Sequence, residues 1–317
     1  MRRCLYCYNE LGEETSEFHK ACSVKIFGTS TPPELPYSED QMLQLAEKII
    51  KSQSTVTGVQ PKLSLEIEKL SKKDEPQRFT IVGLWGGYIL KPPTKRYKFL
   101  PELEDITMHL AEISGIEVVP HSLIRLSSGT LSYITRRIDR KNGLKIHMED
   151  MCQLTERLTE QKYNSSYEQI AKAIARFSAN PGLDITNFFE QVLFSFLTGN
   201  ADMHLKNFSL IENPDMGYIL SPAYDMVASS LVVEGDEEEL ALTLNGKKKK
   251  IRKKDVMEAI NRFNIDNKAI ENLFNKFNAS FEKWYKFIDK SFLPNDMKIG
   301  YHDLIMKRAN QIYGNVF

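Results

Sequence analysis

The chain has 317 residues, of which 42% are hydrophobic and 26% charged, as expected for a soluble globular protein with one large unit or two ordinary domains. Its 42 basic residues balance 42 acidic ones, which excludes a whole-chain electrostatic attraction to nucleic acid or anionic membrane. No run of eighteen apolar residues is present, and the N-terminus lacks the apolar core of a signal peptide. We therefore expect a cytoplasmic protein with no membrane partner and no direct nucleic-acid contact.

The first 22 residues contain three of the four cysteines, and a histidine lies between them. Cys4-x2-Cys7 and His19-x2-Cys22 supply two pairs of soft ligands, which suit tetrahedral zinc. A segment this short buries little core without such a cross-link. We predict a zinc-knuckle-like segment over residues 1–28 with structural Zn²⁺; the alternative is incidental thiols and a surface histidine.

The next part of the chain is rich in predicted strands. Leu63, Leu65 and Ile67 alternate with polar residues, and GYILK is stopped by Pro92, so both stretches are predicted strands. The β-branched stretches VVPHSLIRL and GTLSYITRRID predict two more strands. Between the two pairs, LPELEDITMHLAEISG has apolar residues at helical spacing and predicts a helix that ends at Gly115.

After Asp139 the chain is predicted to be mainly helical. EQIAKAIARFSA and FFEQVLFSFL are apolar enough for core helices, and two long amphipathic patterns follow near the C-terminus. This order predicts an α+β bilobal protein-kinase-like fold. Its β-containing N-lobe, with a linker, is predicted over residues 29–139, and its helical C-lobe over residues 140–317.

A polar loop, TGNADMHLKNFSL, follows the second core helix and carries the clearest chemical pattern. Asp202 and Asn207 are five residues apart in this loop, and Asp225 follows eighteen residues later. Upstream, Lys91 ends a strand and Glu104 opens a helix. Phosphoryl transfer requires these residue types: a lysine on the phosphates, a helix glutamate that holds it, a proton-accepting aspartate, and an Asn–Asp pair for magnesium.

Two further features support phosphoryl transfer. The spacing from Asp202 to Asn207 equals that of the kinase catalytic loop H-R-D-x-x-x-x-N. A Gly-containing turn precedes the whole set, and its backbone N–H groups are suited to cover phosphates. The predicted nucleotide-binding residues of this turn are Thr55, Thr57, Gly58 and Gln60.

Nine segments of the chain form one ordered set: STVTGVQPK, GYILKP, LEDITMHLA, ITRRIDR, HMEDMCQL, QKY, GNADMHLKNFSL, SPAYDM and LALTLNGKKKKI. Together they resemble the HipA family of bacterial serine/threonine protein kinases. The resemblance covers roughly residues 52–310, and the pattern N-x-D-x-H-x-K-N of the polar loop is its most specific part. It implies a kinase-like fold, ATP with Mg²⁺, and the toxin of a toxin–antitoxin module that phosphorylates a translation factor or an aminoacyl-tRNA synthetase.

The resemblance also implies roles for individual residues. Asp202 matches the general base, while Asn207 and Asp225 match the magnesium ligands. Lys91 matches the lysine that contacts the ATP phosphates. The segment ITRRIDR matches the link between lobes, which makes the backbone near Arg137 to Asp139 the expected adenine contact.

The chain departs from the family pattern at two points. The full-length family carries an additional N-terminal subdomain, so we expect the short, kinase-only form, with that piece supplied by a separate small protein. A HipB-like antitoxin is the other expected partner. The family often phosphorylates a serine in its own Gly-containing loop, where this chain has Thr55 and Thr57, so autoregulation through threonine stays open.

Several residues have two interpretations. His204 and Lys206 are further catalytic candidates; alternatively they orient the loop. The orienting role is favoured for His204, since phosphoryl transfer needs no histidine acid, whereas Lys206 is suited to stabilise a transferred phosphate. Glu104 is the expected partner of Lys91, although Glu102 is a nearby alternative.

Two open questions concern the whole chain. The basic run GKKKKIRKK could contact nucleic acid, but we favour a solvated hairpin opposite the acidic residues 235–239. Two other function classes stay open beside the protein kinase: a kinase for a small molecule or lipid, and an inactive kinase-like module that binds a partner.

Overall fold

A computed structural model describes residues 2–12, 16–42, 44–45, 62–68, 77–83, 85–141, 143–233, 235 and 237–314. The predicted turn with Thr55, Thr57, Gly58 and Gln60 lies outside these residues, so its role stays a prediction. None of the described helices is long and apolar enough to cross a membrane.

The chain divides into two compact units, each built from segments that are distant in sequence. The predicted boundaries at residues 28 and 139 stay predictions. Unit 1 comprises Met1–Asp105, Val119–Gly143 and Lys290–Phe292, and unit 2 comprises Ile106–Val118, Leu144–Asp289 and Leu293–Phe317.

The described helices and strands have the following bounds. The strands are β1 Leu63–Ile67, β2 Phe79–Val82, β3 Tyr88–Lys91, β4 His121–Arg125, β5 Leu131–Arg136, β6 Arg140–Lys141, β7 Leu144–Lys145, β8 Met148–Asp150, β9 Ser209–Asn213 and β10 Gly217–Leu220. The α-helices are α1 Lys20–Phe27, α2 Leu100–Ile113, α3 Met151–Leu154, α4 Tyr167–Phe177, α5 Pro181–Thr198, α6 Lys253–Asn261, α7 Asn267–Asn278, α8 Phe281–Asp289 and α9 Asn295–Tyr313.

Unit 1 contains an antiparallel sheet with the strand order β2-β1-β3-β5-β4 among the described residues. Alternation in β1 buries Leu63 and Leu65, as the period of a half-buried strand requires. β3 ends at Lys91, which pairs in register with Tyr133 of β5. Pro92 follows directly and has no N–H to continue the ladder, so the strand ends there.

The C-terminal end of α2 has the geometry that the sequence predicts. Gly115 has φ +74°, which costs a glycine little because it has no Cβ. Its N–H donates to Glu112 O at 2.8 Å, and Ile116 N donates to Ala111 O at 3.0 Å. These two bonds form a Schellman motif, which ends the helix and satisfies its last carbonyl groups.

Unit 2 is mainly helical and also contains the antiparallel sheet β10-β9-β8. The apolar helix α5 supplies Phe188, Phe189 and Phe194 to the core. Trp284 of α8 is buried, and its Nε1 donates to Leu110 O at 3.1 Å and to Ser114 Oγ at 2.9 Å. The buried indole therefore has the partners that its N–H needs.

Candidate active site

Lys91 forms a buried ion pair with Glu104 of α2, within unit 1. Lys91 is only 3% exposed, and its Nζ also lies 5.3 Å from the ring centroid of Tyr133. A buried ammonium is costly unless a carboxylate pairs with it, so the pair fixes both side chains in one arrangement. The structure thus brings these two predicted site residues together; their contact with ATP phosphates stays a prediction.

The two acids beside Glu104 have different surroundings. Asp105 is fully buried, accepts a 2.6 Å hydrogen bond from the Tyr8 hydroxyl, and lies 2.7 Å from His121 Nδ1. Burial raises the pKa of Glu102 to about 7. Among the three acids of this turn, Glu104 is therefore the one that the structure pairs with Lys91.

The polar loop begins where α5 ends at Gly199. This residue has φ +69°, and a Cβ there would lie 2.4 Å from Leu304 Cδ2, so only glycine fits without movement. Asn207 Nδ2 donates to the backbone carbonyl of Asp202 at 3.0 Å, and that carbonyl also accepts from His204 N at 2.8 Å. The amide nitrogen of Asn207 is thus bonded inside the loop, and its Oδ1 is the atom of the predicted metal ligand.

Two side chains outside the loop hold its polar groups. The Tyr163 hydroxyl donates to Asp202 Oδ1 at 2.5 Å. Lys206 Nζ forms an ion pair with Asp150 Oδ2 at 2.7 Å, and Asp150 also caps α3 by accepting from Gln153 N. Neither Tyr163 nor Asp150 is among the site residues predicted from the sequence. The signal that points to them is their position in QKY and HMEDMCQL, two of the segments that carry the family resemblance.

One small sheet positions these groups in unit 2. β8 ends at Asp150, which lies opposite Ser209 on β9, and β9 begins two residues after Asn207. β10 pairs with β9 and ends at Leu220, five residues before Asp225. The Tyr224 hydroxyl lies 2.5 Å from Ser209 Oγ, so the segment that carries Asp225 is bonded to the start of β9.

His204 is buried beside the predicted catalytic acids. Burial lowers its pKa to about 4, although the carboxylates of Asp202 and Asp225 act in the opposite direction. The imidazole is therefore neutral at pH 7, and its ring packs edge-on against Tyr163 at a centroid distance of 5.0 Å. These features favour an orienting role over proton transfer.

Asp225 has a backbone conformation that is uncommon for a residue with a Cβ. Its φ is +61°, in the left-handed region, at a cost of roughly 1 kcal/mol. Asp and Asn tolerate this region better than other residues, and such strain persists where the surrounding structure fixes it, often at functional sites. A left-handed backbone at this position agrees with the predicted functional role of Asp225.

The donor set fits Mg²⁺. Asn207 Oδ1 and the Asp225 carboxylate are hard oxygen ligands, which Mg²⁺ prefers, and both belong to unit 2. The charges of Asp202 and Asp225 both act to raise the pKa of His204, against the larger effect of burial.

Arg137 and Asp139 bind each other in unit 1. Arg137 donates from Nε at 2.9 Å and from Nη2 at 2.7 Å to the two oxygens of Asp139, and Arg140 Nη1 adds a third bond at 2.5 Å. Burial alone would raise the pKa of Asp139, but the bonds and charges of the two arginines lower it. These side chains fix the local backbone, and the expected adenine contact of that backbone stays a prediction.

The N-terminal Cys/His cluster, consisting of Cys4, Cys7, His19 and Cys22, is assembled in unit 1. Its four ligand atoms all lie within 4.8 Å of one another. All four cysteines of the chain are free thiols in the structure.

The basic run near the C-terminus is paired with acids. Lys247 binds Asp255 at 2.6 Å, Lys248 binds Glu238 at 3.0 Å, and Lys249 binds Glu237 at 3.0 Å. These pairs agree with the favoured interpretation, a solvated hairpin opposite acidic residues.

Comparison with known proteins identifies the family. The HipA-like C-terminal domain matches residues 54–285. A Haemophilus influenzae protein named "Putative kinase" is 32% identical over 212 residues, which are 62% of this chain and 59% of that protein. The serine/threonine-protein kinase toxin HipA of Shewanella oneidensis is 28% identical over 215 residues, 62% of this chain and 47% of that protein. The chain thus spans about half the length of these relatives.

The fold agrees with this assignment. A solved complex of the Shewanella oneidensis MR-1 toxin–antitoxin proteins HipA and HipB with operator DNA matches with a TM-score of 0.69 at 22% identity. The match covers 89% of this chain and 72% of that one. The predicted α+β kinase-like fold is confirmed, and the chain belongs to the family of HipA-like C-terminal domain proteins.

Proposed function

We propose that this chain is an ATP- and Mg²⁺-dependent serine/threonine protein kinase that acts as the toxin of a HipA-type toxin–antitoxin system. Its proposed substrate is a translation-related protein such as an aminoacyl-tRNA synthetase. The observation that carries the proposal is the 3.0 Å bond from Asn207 Nδ2 to the backbone carbonyl of Asp202, which joins the proposed metal ligand to the backbone of the proposed base. Family membership and the relative named a kinase toxin support it.

Asp202 is the proposed general base. The hydroxyl oxygen of a substrate Ser or Thr attacks the γ-phosphorus of ATP, a new P–O bond forms, and the bond to the β–γ bridging oxygen breaks. ADP leaves with that electron pair, and the hydroxyl proton goes to Asp202. The Tyr163 hydroxyl donates to Oδ1 of the Asp202 carboxylate. In this proposal the bond orients the carboxylate so that Oδ2 receives the proton of the substrate hydroxyl.

Asn207 and Asp225 are the proposed Mg²⁺ ligands. When bound, the ion neutralises charge on the phosphates. Asn207 contributes Oδ1 of an amide group held by its bond to Asp202 O, and Asp225 contributes a carboxylate from a residue with a left-handed backbone. Lys91, held by Glu104, binds the phosphates in this proposal.

Lys206 is proposed to stabilise charge on the transferred phosphoryl group, with Asp150 as the residue that positions it. His204 supports the loop as a neutral imidazole. The turn with Thr55, Thr57, Gly58 and Gln60 covers the phosphates, and the backbone near Arg137 to Asp139 contacts the adenine.

The proposed partners are a HipB-like antitoxin and a small separate protein equivalent to the N-terminal subdomain. The similarity in fold to a HipA that was solved together with HipB and operator DNA supports the first. Co-purification of this chain with the product of a neighbouring gene tests both.

Phosphoproteomics tests the proposed reaction. Cells that express the wild-type chain are compared with cells that express Asp202→Ala, and with Asp215→Ala as a matched control, since Asp215 is an exposed acid in the same unit. We expect new phosphoserine or phosphothreonine on a translation protein with the wild type and the control, but not with Asp202→Ala. ATP turnover without any phosphoprotein would instead indicate a small-molecule or lipid kinase, and no turnover an inactive binding module.

A further inference from the structure

We propose that the Cys/His cluster binds one structural Zn²⁺ and that the segment closed by this ion positions helix α2, and with it Glu104, through Tyr8. The metal site and the contacts of Tyr8 stand on their own geometry. Only the consequence for ATP use rests on the proposed kinase function.

The spacing of the ligand atoms fits a tetrahedral zinc ion. His19 Nδ1 lies 3.4 Å from Cys7 Sγ and 3.8 Å from Cys22 Sγ. Tetrahedral bonds of about 2.3 Å to sulfur and about 2.0 Å to nitrogen would separate these atoms by about 3.5 Å. The two separations from His19 are therefore close to those that a shared ion requires, and all four ligand atoms lie within 4.8 Å of one another.

The second nitrogen of His19 selects the correct tautomer. Nε2 lies 3.0 Å from the backbone carbonyl oxygen of Glu10, so it carries the proton and donates it. Nδ1 is then the unprotonated atom, and it is the one that faces the sulfur atoms. A metal-bound histidine almost always donates its other N–H to a carbonyl or carboxylate in this way.

The composition of the cluster indicates a structural site. Three sulfur atoms and one imidazole nitrogen complete a tetrahedral shell, which leaves no position for water or substrate. Cys4 and Cys22 are both buried, which suits an ion that cross-links a short segment.

The segment between the first two ligands is bonded to β4. The carbonyl oxygen of Leu5 accepts from Leu123 N at 3.3 Å and from Ser122 Oγ at 3.1 Å. An ion that fixes Cys4 and Cys7 therefore also fixes the contact of this segment with the edge strand of the sheet.

Tyr8, the residue after the zinc ligand Cys7, connects the N-terminal cluster to α2. It has φ +61° and is 1% exposed. Its hydroxyl donates to Asp105 Oδ2 at 2.6 Å, while Asp105 Oδ1 lies 2.7 Å from His121 Nδ1. Both carboxylate oxygens of Asp105 thus have a partner: Tyr8, next to the ligand Cys7, and His121 of β4.

Asp105 is adjacent to Glu104 in the first half of α2. A helix turn that is fixed at Asp105 is also fixed at Glu104, whose carboxylate holds Lys91. Loss of zinc, or of the Tyr8 hydroxyl, should therefore loosen the Lys91–Glu104 arrangement without any change in those two residues.

Metal analysis of the purified full chain tests the site. We expect one zinc per chain in the wild type and in Cys152→Ser, which removes a buried thiol outside the cluster, and no zinc in Cys22→Ser. Substitution with Co²⁺ should give the visible bands of a tetrahedral thiolate site. Stoichiometric iron, or failure of the wild type to take up zinc while its thiols are reduced, would overturn the assignment.

Hydrogen exchange tests the positioning role, and Tyr8→Phe is the informative variant because it keeps every zinc ligand. We expect full zinc content and faster exchange of the backbone amides of residues 100–105, with α7 unchanged. We also expect a KM for ATP raised by about 3- to 10-fold at similar kcat, in the range of one lost hydrogen bond. Unchanged exchange at residues 100–105 would overturn the positioning role. A wild-type chain that binds zinc and shows the exchange difference but transfers no phosphate would reject the kinase function and leave this inference standing.

Discussion

The side-chain amide of Asn207 donates a 3.0 Å hydrogen bond to the backbone carbonyl of Asp202, five residues earlier in the same loop. The bond closes the loop on itself and fixes the plane of the Asn207 amide group. It is one interaction that both proposed roles share, because it orients the metal ligand and shapes the backbone that carries the base.

Substitution of Asn207 should therefore change the Mg²⁺ requirement. In Asn207→Ala, the ligand oxygen and the loop bond are both lost, and we expect the Mg²⁺ concentration for half-maximal activity to rise by roughly 10- to 100-fold. Titration of phosphate transfer with Mg²⁺ measures this shift. Asn275→Ala, an exposed site on α7, is the matched control. An Mg²⁺ dependence that is the same in both variants would contradict the assignment.

The Lys91–Glu104 pair predicts that a double variant can recover stability without recovering activity. Lys91→Met leaves a buried carboxylate without its partner, which should lower the free energy of unfolding by about 3–5 kcal/mol. Lys91→Met combined with Glu104→Leu removes both charges and should recover much of this loss, yet remain inactive. Urea unfolding and a phosphate-transfer assay on the same samples measure both effects. A double variant that regains activity would show that Lys91 does not bind phosphate.

Glu102 predicts a pH dependence of stability in unit 1. Burial raises its pKa from 4.5 to about 7; the Asp105 charge adds to this effect, and Arg125 opposes it. Between pH 4.5 and about 7 the unfolded chain loses a proton that the folded chain keeps, so this group's contribution to stability falls as the pH rises. The total change is up to about 3 kcal/mol, and it levels off above about pH 7.

Glu102→Gln removes this titration. The free energy of unfolding of the variant minus that of the wild type should be larger at pH 8 than at pH 4.5, by up to about 3 kcal/mol. Denaturant unfolding of both proteins at the two pH values isolates the effect, because other groups cancel in the difference. A difference between the two proteins that does not change with pH would show that Glu102 ionises normally.

Tyr163→Phe should lower kcat by roughly 10-fold, since a hydrogen bond to a charged group contributes about 1.5–3 kcal/mol and this one is partly exposed. Tyr218→Phe is the control, because that hydroxyl bonds His147 at the surface. Steady-state kinetics of phosphate transfer measure kcat for both variants. Equal kcat values for the two variants would remove Tyr163 from the proposed site.

Strong periodic patterns predicted most elements of the fold. The strands β1, β3, β4 and β5 and the helices α2, α4 and α5 lie where alternation or helical spacing indicates them. The sequence patterns do not predict β2 and β8; β8 has three residues, too few for a period to be recognised, and FTIV of β2 does not alternate strictly between apolar and polar residues. The amphipathic pattern near AIENLFNKFNASFEKWYKFI is divided into α7 and α8, since Ser280 donates to Phe277 O and its hydroxyl bonds Lys276 O, which ends the first helix.

The candidate site was predictable where residue type and spacing carry the chemistry. Lys91, Glu104, Asp202 and Asn207 have chemistry that their positions in the chain reveal. Partners such as Tyr163, 39 residues from Asp202, depend on tertiary packing, and a single sequence gives no spacing rule for them.

The most direct test of the central claim is phosphate transfer from γ-labelled ATP to protein by the purified chain, measured for the wild type and for Asp202→Ala beside the ATP affinity of each. We predict phosphoserine or phosphothreonine with the wild type. For Asp202→Ala we predict an ATP affinity within a few-fold of the wild-type affinity but no phosphate transfer, because the base acts mainly in the transition state. Near-native transfer by Asp202→Ala would contradict the account, since a kinase that works without this carboxylate does not use the loop from Gly199 to Asn207 as proposed.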